Sequence, residues 1–313
     1  MTPLVSIIIP TYNRAYLIAE TLESICSQTY TKWECIIVDD HSTDTTELVV
    51  NHFVDRDSRF SFHKRPETKR KGANACRNFG LELASGQFVT WCDSDDIMVP
   101  EHLAVHMHQH SHSHCDAIVT SAEVFQGNTQ NIVRKWDSIC PKYDIVTEMI
   151  YNQVLWPINC VTWDRNSIPA KPFREKLASS QEWTFHLSRL LDDITYKIIE
   201  KPTCLVREHQ QRTGKIVSVS KSFSTFHSRK IIMELLTEKQ MRTPKNEKGL
   251  LKYIFTALRQ ALQYRYYKLA FVILGYLVQS FGQTKYRREI AKIILIASPI
   301  YALSGRGEKL FKI

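Results

Sequence analysis

Between residues 4 and 92 the chain alternates four short apolar runs with stretches of helical spacing, and few folds accept that order. "LVSIIIP" (4–10), "WECIIVDD" (33–40), "RFSFHK" (59–64) and "QFVTWC" (87–92) read as strands. The first is apolar without interruption, as expected of a strand covered on both faces. Between them, "RAYLIAETLESICSQ" (14–28) gathers Leu17, Ile18, Leu22, Ile25 and Cys26 near helical spacing. "STDTTELVVNHFV" (42–54) opens with three candidate caps, Ser42, Thr43 and Asp44, and "GANACRNFGLELAS" (72–85) is a third helix stopped by Gly86. This repetition predicts an α/β fold with a mostly parallel sheet, whose ligands bind outside the carboxyl ends of the strands. The polar clusters fall at those ends: Thr11-Tyr12-Asn13 after the first strand, Asp39-Asp40 after the second, Asp93-Ser94-Asp95-Asp96 after the fourth.

A dinucleotide-binding Rossmann site needs glycines in the turn after the first strand, where the backbone must approach a pyrophosphate. Here that turn is "PTYNRA", which has none, and that reading fails. Three carboxylates within four positions repel one another unless a cation or a ligand offsets them. A D-x-D at a strand end offers the hard oxygen ligands that suit Mg2+ or Mn2+. The bland alternative is that these acids cap the helix beginning near Pro100, where negative charge suits the N-terminus.

Beyond about residue 125 the pattern blurs. "WPINCVTWDRNSI" (156–168) reads as irregular or hairpin structure, "QEWTFHLSRLLDD" (181–193) as a helix and "YKIIEKPTCLVRE" (196–208) as one more strand, with helices from 222 onward. The eight cysteines form no CxxC pair and several sit in apolar runs, as small core residues of a reduced compartment do. Charge is divided unevenly. Residues 1–200 carry 19 Lys/Arg and 26 Asp/Glu, while residues 201–313 carry 22 and 6, which points to an anionic partner for the last third. No nucleic-acid-binding motif accompanies that charge. No run reaches the length of a membrane span, and "MTPLVSIIIPTYNR" reads as a first strand and not a signal peptide.

"SIIIPTYNRAYLIAETLESICSQTY", "ECIIVDDHSTDTT" and "KGANACRNFGLELASGQFVTWCDSDD", in this order and spacing, resemble family 2 glycosyltransferases of the GT-A fold. The resemblance is close over about 120 residues and looser to about residue 215. It implies a GT-A domain over 1–220, with a nucleotide-binding half to about 120 and an acceptor half from 121, followed by a basic helical extension over 221–313. It also implies roles. Pro10, Thr11, Tyr12 and Arg14 belong to the loop walling the nucleotide pocket, Asp39 meets a pyrimidine base, and Asn74 and Arg77 line or support the nucleotide. Asp93 and Ser94 stand at the donor, Asp93 towards the ribose, and Asp95 holds the metal, Mn2+ or Mg2+, on the diphosphate.

The family carries an acidic motif at the start of a helix in its acceptor half. "SSQEWTFHLSRLL" matches that context, with Gln181 in place of the usual first acid and Glu182 in the position of the general base. In "VREHQQRTGKIVS" (206–218), Arg207, His209, Arg212 and Lys215 are candidates to offset phosphate charge, His209 joining Asp95 at the metal. The implied reaction is inverting transfer of a sugar, most simply from a UDP-sugar, to a hydroxyl of a glycan or lipid-linked acceptor in surface-polysaccharide assembly. A cytoplasmic enzyme touching the inner face of an anionic membrane through its basic end fits that setting. The alternatives are an inactive GT-A scaffold binding polysaccharide or membrane, and a nucleotidyltransferase. Intact Asp39, Asp93, Asp95 and Glu182 argue against the first, and the glycine-free first loop against the second. His102, His106 and His110 recur on one helix face in "HLAVHMHQHSHSH", yet no fourth ligand accompanies them and a zinc site is not expected.

Overall fold

The computed structural model describes residues 2–208, 218–281 and 285–297. Those residues group into two compact units, 1–175 with 185–212, and 176–184 with 213–313.

In the first unit, β1 (Val5–Thr11), β2 (Trp33–Asp39), β3 (Phe60–Lys64) and β4 (Phe88–Trp91) occupy the four expected runs. They lie parallel in the spatial order β3-β2-β1-β4. α1 (Ile18–Cys26), α2 (Thr46–Arg56) and α3 (Ala73–Leu83) connect them as the apolar spacing predicts. The chain therefore runs outward on one side of β1 and returns to place β4 on the other. A crevice opens at such a switch point, outside the carboxyl ends of the strands. Beyond β4 the sheet is mixed. β8 (Val161–Asp164) runs antiparallel to both β4 and β6 (Ala117–Phe125), and β9 (Tyr196–Arg207) runs parallel to β6. The two-residue β5 (Ile97–Met98) closes the edge against β9, and β7 (Ile132–Lys135) pairs with β6. "WPINCVTW" thus supplies a central strand, not a hairpin.

Ile7, Ile9, Cys35, Ile37, Leu22 and Ile25 are fully buried between sheet and helices. Burial of each of the large aliphatic side chains is worth about 1.5–3 kcal/mol. Gly86 is fixed by space: a Cβ there would stand 2.6 Å from Ser6 Oγ and 2.7 Å from the Ser6 nitrogen. The eight cysteines are free thiols, and Cys35, Cys76, Cys92, Cys160 and Cys204 are buried, as their apolar settings predict. α5 (Ile145–Ile150) is capped by Asp144, which accepts from the Thr147 nitrogen at 2.8 Å.

α4 (His102–His112) turns its histidine face inward. His102 Nδ1 lies 2.8 Å from Thr203 Oγ1, His106 Nε2 3.0 Å from Thr120 Oγ1, and His110 Nε2 3.2 Å from the Thr162 carbonyl. These are core histidines with threonine and backbone partners on the sheet. Burial pushes His110 down to about 4; it pushes His106 well below its ordinary value, with its neighbours His102 and His110 adding repulsion. In the unfolded chain both titrate near 6.5. Below that pH the unfolded state takes up protons that the folded state refuses, so stability falls as pH drops from about 6.5 towards 4. His110 alone accounts for roughly 3 kcal/mol of that loss by pH 4. Melting temperatures taken across this window should fall steadily, and His110→Phe, set beside Phe88, should make the fall shallower. An equal slope in the variant refutes the assignment.

In the second unit, α7 (Val219–Glu238) starts at Ser218, whose hydroxyl accepts from the Lys221 nitrogen at 3.2 Å. α8 (Pro244–Gln263) starts at Thr243, which accepts from the Asn246 nitrogen at 3.1 Å, and it carries proline at its first position. α9 (Tyr267–Phe281) and α10 (Arg287–Lys292) follow. Phe226, Ile232, Leu236, Leu250, Ile254, Leu258, Ile273 and Leu277 are buried in this unit. α6 (Gln181–Leu191) begins within it, and from Phe185 onward α6 belongs to the first unit.

Candidate functional site

The carboxyl ends of β1 and β2 are locked together. Thr11 is in register with Asp39, and the Asp40 nitrogen donates to the Thr11 carbonyl at 2.9 Å. The loops that follow are laced to each other. Asn13, at φ 51°, donates its nitrogen to Ser42 Oγ at 2.8 Å, and its side-chain oxygen accepts from the Thr43 nitrogen at 2.8 Å. The Arg14 nitrogen donates to Thr46 Oγ1 at 2.9 Å. Of the three candidate caps for α2, Asp44 is the one that accepts from the first turn, from the Thr46 nitrogen at 3.0 Å.

Asp39 is 1% exposed, and its carboxylate accepts from the Ser42 nitrogen at 2.8 Å and from the Ser42 hydroxyl. Each carboxylate oxygen keeps a second lone pair for a ligand N–H. Thr11 Oγ1 is buried with no partner among the described residues. Tyr12 is exposed, with Lys71 Nζ 4.7 Å from its ring centroid. Pro10 is buried at the end of β1.

β4 delivers the acidic turn beside β1, the Cys92 nitrogen donating to the Ile8 carbonyl at 3.0 Å. Asp93, Asp95 and Asp96 each offer an oxygen, all within 4.8 Å of one another. Their neighbours divide the labour. Arg77, buried on α3, donates from Nη2 to Asp93 Oδ1 at 2.7 Å and from Nη1 to Asn74 Oδ1 at 3.3 Å. Asn74 in turn donates to the Arg174 carbonyl at 2.8 Å. Arg14 Nε lies 3.8 Å from Asp95 Oδ2, with both side chains partly exposed. Ser94 is buried between them in sequence. Asp96 is buried and accepts from the Arg207 nitrogen at 2.8 Å and from Asn159 Nδ2 at 3.2 Å. Asp96 therefore ties the turn to β9 and to the residues before β8. The residue at the N-cap of α4 is Glu101, which makes no side-chain cap bond.

Arg207, at the end of β9, is turned inward. Its guanidinium donates to the Asp95 carbonyl at 3.0 Å, to Glu20 Oε2 at 2.6 Å and to the Gly127 carbonyl at 3.3 Å, and it lies 4.5 Å from the Phe125 ring centroid. It braces the acidic turn from behind. Glu20 was not legible as a partner from its place on α1. His209, Arg212 and Lys215 lie outside the described residues.

Glu182 is exposed in the first turn of α6 and belongs to the second unit. Ser180, at φ 58°, precedes this helix, and its carbonyl accepts from the Thr184 nitrogen at 3.0 Å. Gln181 Nε2 donates to the Leu177 carbonyl at 3.3 Å. Two residues of α7 hold the segment: Ser224 Oγ accepts from the Ala178 nitrogen at 2.8 Å, and Arg229 donates to Ser180 Oγ at 2.8 Å. Sequence reasoning missed Arg229, because α7 carries serines and charges around its whole circumference and shows no apolar stripe that would mark an inward residue.

The switch point of this half-parallel sheet thus carries two laced loops and a D-x-D turn. The sequence profile of "Glycosyl transferase family 2" matches residues 6–174, more than half of the 313 residues, and the chain belongs to that family. It is 30% identical over 192 residues to the Escherichia coli UDP-Glc:alpha-D-GlcNAc-diphosphoundecaprenol beta-1,3-glucosyltransferase WfgD, a match covering 61% of this chain and 71% of that one. A Campylobacter jejuni GalNAc(5)-diNAcBac-PP-undecaprenol beta-1,3-glucosyltransferase is 37% identical over 105 residues, 34% of each chain. Among solved structures, S. aureus TarS 1–349 superposes at a TM-score of 0.60 with 19% identity, over 98% of this chain and 82% of that one. The Pyrobaculum calidifontis mannosyltransferase PcManGT, in complex with GDP-Man and Mn2+, does so at 0.52 with 17% identity, over 98% and 89%. The protein is a glycosyltransferase with the GT-A fold.

Proposed function

We propose that this glycosyltransferase moves a sugar from a UDP-sugar to a hydroxyl of a diphospholipid-linked saccharide, with inversion at the anomeric carbon. The observation that carries the donor assignment is the switch-point constellation: buried Asp39 with free lone pairs, and a partly exposed Asp93–Asp95 pair flanked by Arg77 and Arg14. UDP-glucose is the first donor to test, since WfgD is named for it and for a diphosphoundecaprenol acceptor.

In this reading Asp39 accepts the pyrimidine N–H, and Thr11, Tyr12 and Asn74 wall the nucleoside. Asp93, fixed by Arg77, meets the ribose. The hard oxygens of Asp95 and Asp93 suit Mn2+ or Mg2+, with Asp95 as the principal ligand and His209 as a further candidate. A divalent ion there would supply charge neutralisation for the diphosphate leaving group. Arg14 stands near the same charge, and Arg207 acts indirectly by holding the Asp95 backbone in place. Glu182 takes the proton from the acceptor hydroxyl as that oxygen attacks; a single carboxylate is what one inverting displacement asks for. The activity is tested by incubating the protein with UDP-[14C]glucose, Mn2+ and a GlcNAc-diphospholipid. A labelled lipid product is expected, and UDP-sugars failing across a panel while GDP- or dTDP-sugars react would overturn the donor class.

The division of work follows the two units: 1–175 with 185–212 for the donor, and the helical unit for the base segment and the lipid side. No helix among the described residues is long and apolar enough to cross a membrane. α9 does carry an outward row: Tyr267 is 54%, Phe271 78% and Val278 53% exposed, at spacings of 4 and 7, with Tyr264 just before it. Arg265 and Lys268 flank its start, and Lys285, Arg287 and Arg288 follow its end. Aromatic and basic residues on one helix suit the surface of an anionic bilayer, and we assign this row to peripheral contact at the cytoplasmic leaflet. Phe271→Glu with Val278→Glu should cut co-sedimentation with phosphatidylglycerol vesicles at least about tenfold and leave activity on a short-chain soluble acceptor intact. Unchanged sedimentation would discard α9 as the contact.

A further inference from the structure

Arg229 is a cation in the wrong place for ordinary packing. It is 5% exposed in the middle of α7, and among the described residues no carboxylate pairs with it. Its Nε has no partner there either. Burying a guanidinium without an anion costs several kcal/mol, and a leucine or methionine would fill the same space more cheaply. Burial, opposed by a smaller effect of Tyr253, pulls its proton affinity down to about 10, which leaves it charged at neutral pH.

What the guanidinium touches is specific. Nη1 donates to Ser180 Oγ at 2.8 Å and to Ser228 Oγ at 2.9 Å. The guanidinium carbon lies 4.0 Å from the Trp183 ring centroid and 4.8 Å from that of Tyr253 on α8. Ser180 and Trp183 bracket Gln181 and Glu182. Ser180 also holds the left-handed conformation at which the chain enters α6. With Ser180 and Trp183 both drawn onto α7, and Ala178 bonded to Ser224, the direction in which Glu182 leaves the helix is set.

We infer that Arg229 is the positioning residue for the general base: its buried guanidinium clamps Ser180 and Trp183 so that Glu182 is presented at one fixed angle. This rests on the assignment of Glu182 above. It gives the C-terminal helices a part in the chemistry, as the seat of the base segment. A fixed angle matters because a displacement of about 1 Å at a reacting group can cost about 100-fold in rate.

The test is a double-mutant cycle of Arg229→Met and Glu182→Gln, with kcat and donor KM measured separately and rates normalised to nucleotide-binding stoichiometry. Arg229→Lys is carried alongside; it keeps the charge but not the planar stack on Trp183. Arg229→Met should lower kcat about 10- to 100-fold with donor KM unchanged, and Arg229→Lys should fall between it and the parent. In the Glu182→Gln background the same change should have no further effect on the residual rate, because there is no base left to misdirect. An equal fold-loss in both backgrounds, or no loss from either Arg229 variant, overturns the inference and leaves Arg229 as packing. If Glu182→Gln itself retains the parent rate, the base assignment has failed, which is a separate outcome. Should Arg229→Met not fold, Arg229→Lys and Ser180→Ala run through the same cycle give the same readings.

Discussion

Glu182→Gln should reduce the rate of sugar transfer by about 100- to 10,000-fold while leaving UDP affinity and melting temperature unchanged. The separation of the two effects follows from where the residue sits. Glu182 is exposed in the first turn of α6 and grouped with the helical unit, whereas the constellation assigned to the nucleotide lies wholly in the first unit. An exposed side chain at a helix N-terminus contributes little packing, so its amide should leave the fold alone. The amide is isosteric and accepts hydrogen bonds, but it cannot take a proton from the acceptor hydroxyl. Donor binding and single-turnover kinetics are the pair of measurements required. A variant that transfers sugar at the parent rate removes Glu182 from the mechanism, and Asp192 and Asp193, at the other end of α6, become the next carboxylates to examine.

Asp95→Ala should abolish the Mn2+ dependence of nucleotide binding and lower kcat/KM by at least about 100-fold, the equivalent of roughly 3 kcal/mol of charge stabilisation at the leaving group. The comparison that gives this result meaning is Asp96→Asn. Asp95 is partly exposed, and Arg14 Nε stands 3.8 Å from its carboxylate. Asp96 is buried against the Arg207 nitrogen and Asn159. Substituting Asp96 should therefore lower the melting temperature, because a buried acceptor of two donors is weakened. It should leave the metal requirement in place. If the two variants behave alike in both assays, the acidic turn is acting as one unit and the division drawn between its members is wrong.

The parallel half of the fold was legible because its information is local. Each of β1, β2 and β4 is an apolar run bounded by polar residues, and the helices between them carry their own spacing, so element type follows without knowledge of partners. The site loops were legible for the same reason: a D-x-D can be seen wherever it stands. Beyond β4, "YKIIEKPTCLVRE" was legible as the strand that β9 is, but β5, β6, β7 and β8 were not, because they are defined by pairing. β5 is two residues long and exists through Leu205 and Cys204 on β9. β8 is four residues set between two short 3-10 turns. Asp96 shows the same limit within the site. In the sequence it is a third acid in "DSDD"; its partner on β9 is 111 residues away, and only the fold reveals it. The histidines of α4 gave a true helix face, but their threonine partners come from β6 and β9 and the carbonyl from β8, so periodicity alone could not tell ligands from core residues. The segment 176–184 is the clearest case: nothing in "KLASSQEWT" says that it groups with α7, yet the presentation of Glu182 inferred above depends on what α7 does to it.

In the proposed function the switch point of the sheet binds a uridine diphosphate through a metal held by Asp95. Calorimetric titration of UDP into the full chain, once with Mn2+ and once with EDTA, tests it most directly. One site per chain is expected, with micromolar affinity in Mn2+ and at least about tenfold weaker binding in EDTA. Equal affinity in both conditions would remove the metal from the site, and no binding of UDP in either, with GDP or dTDP binding instead, would contradict the donor assignment.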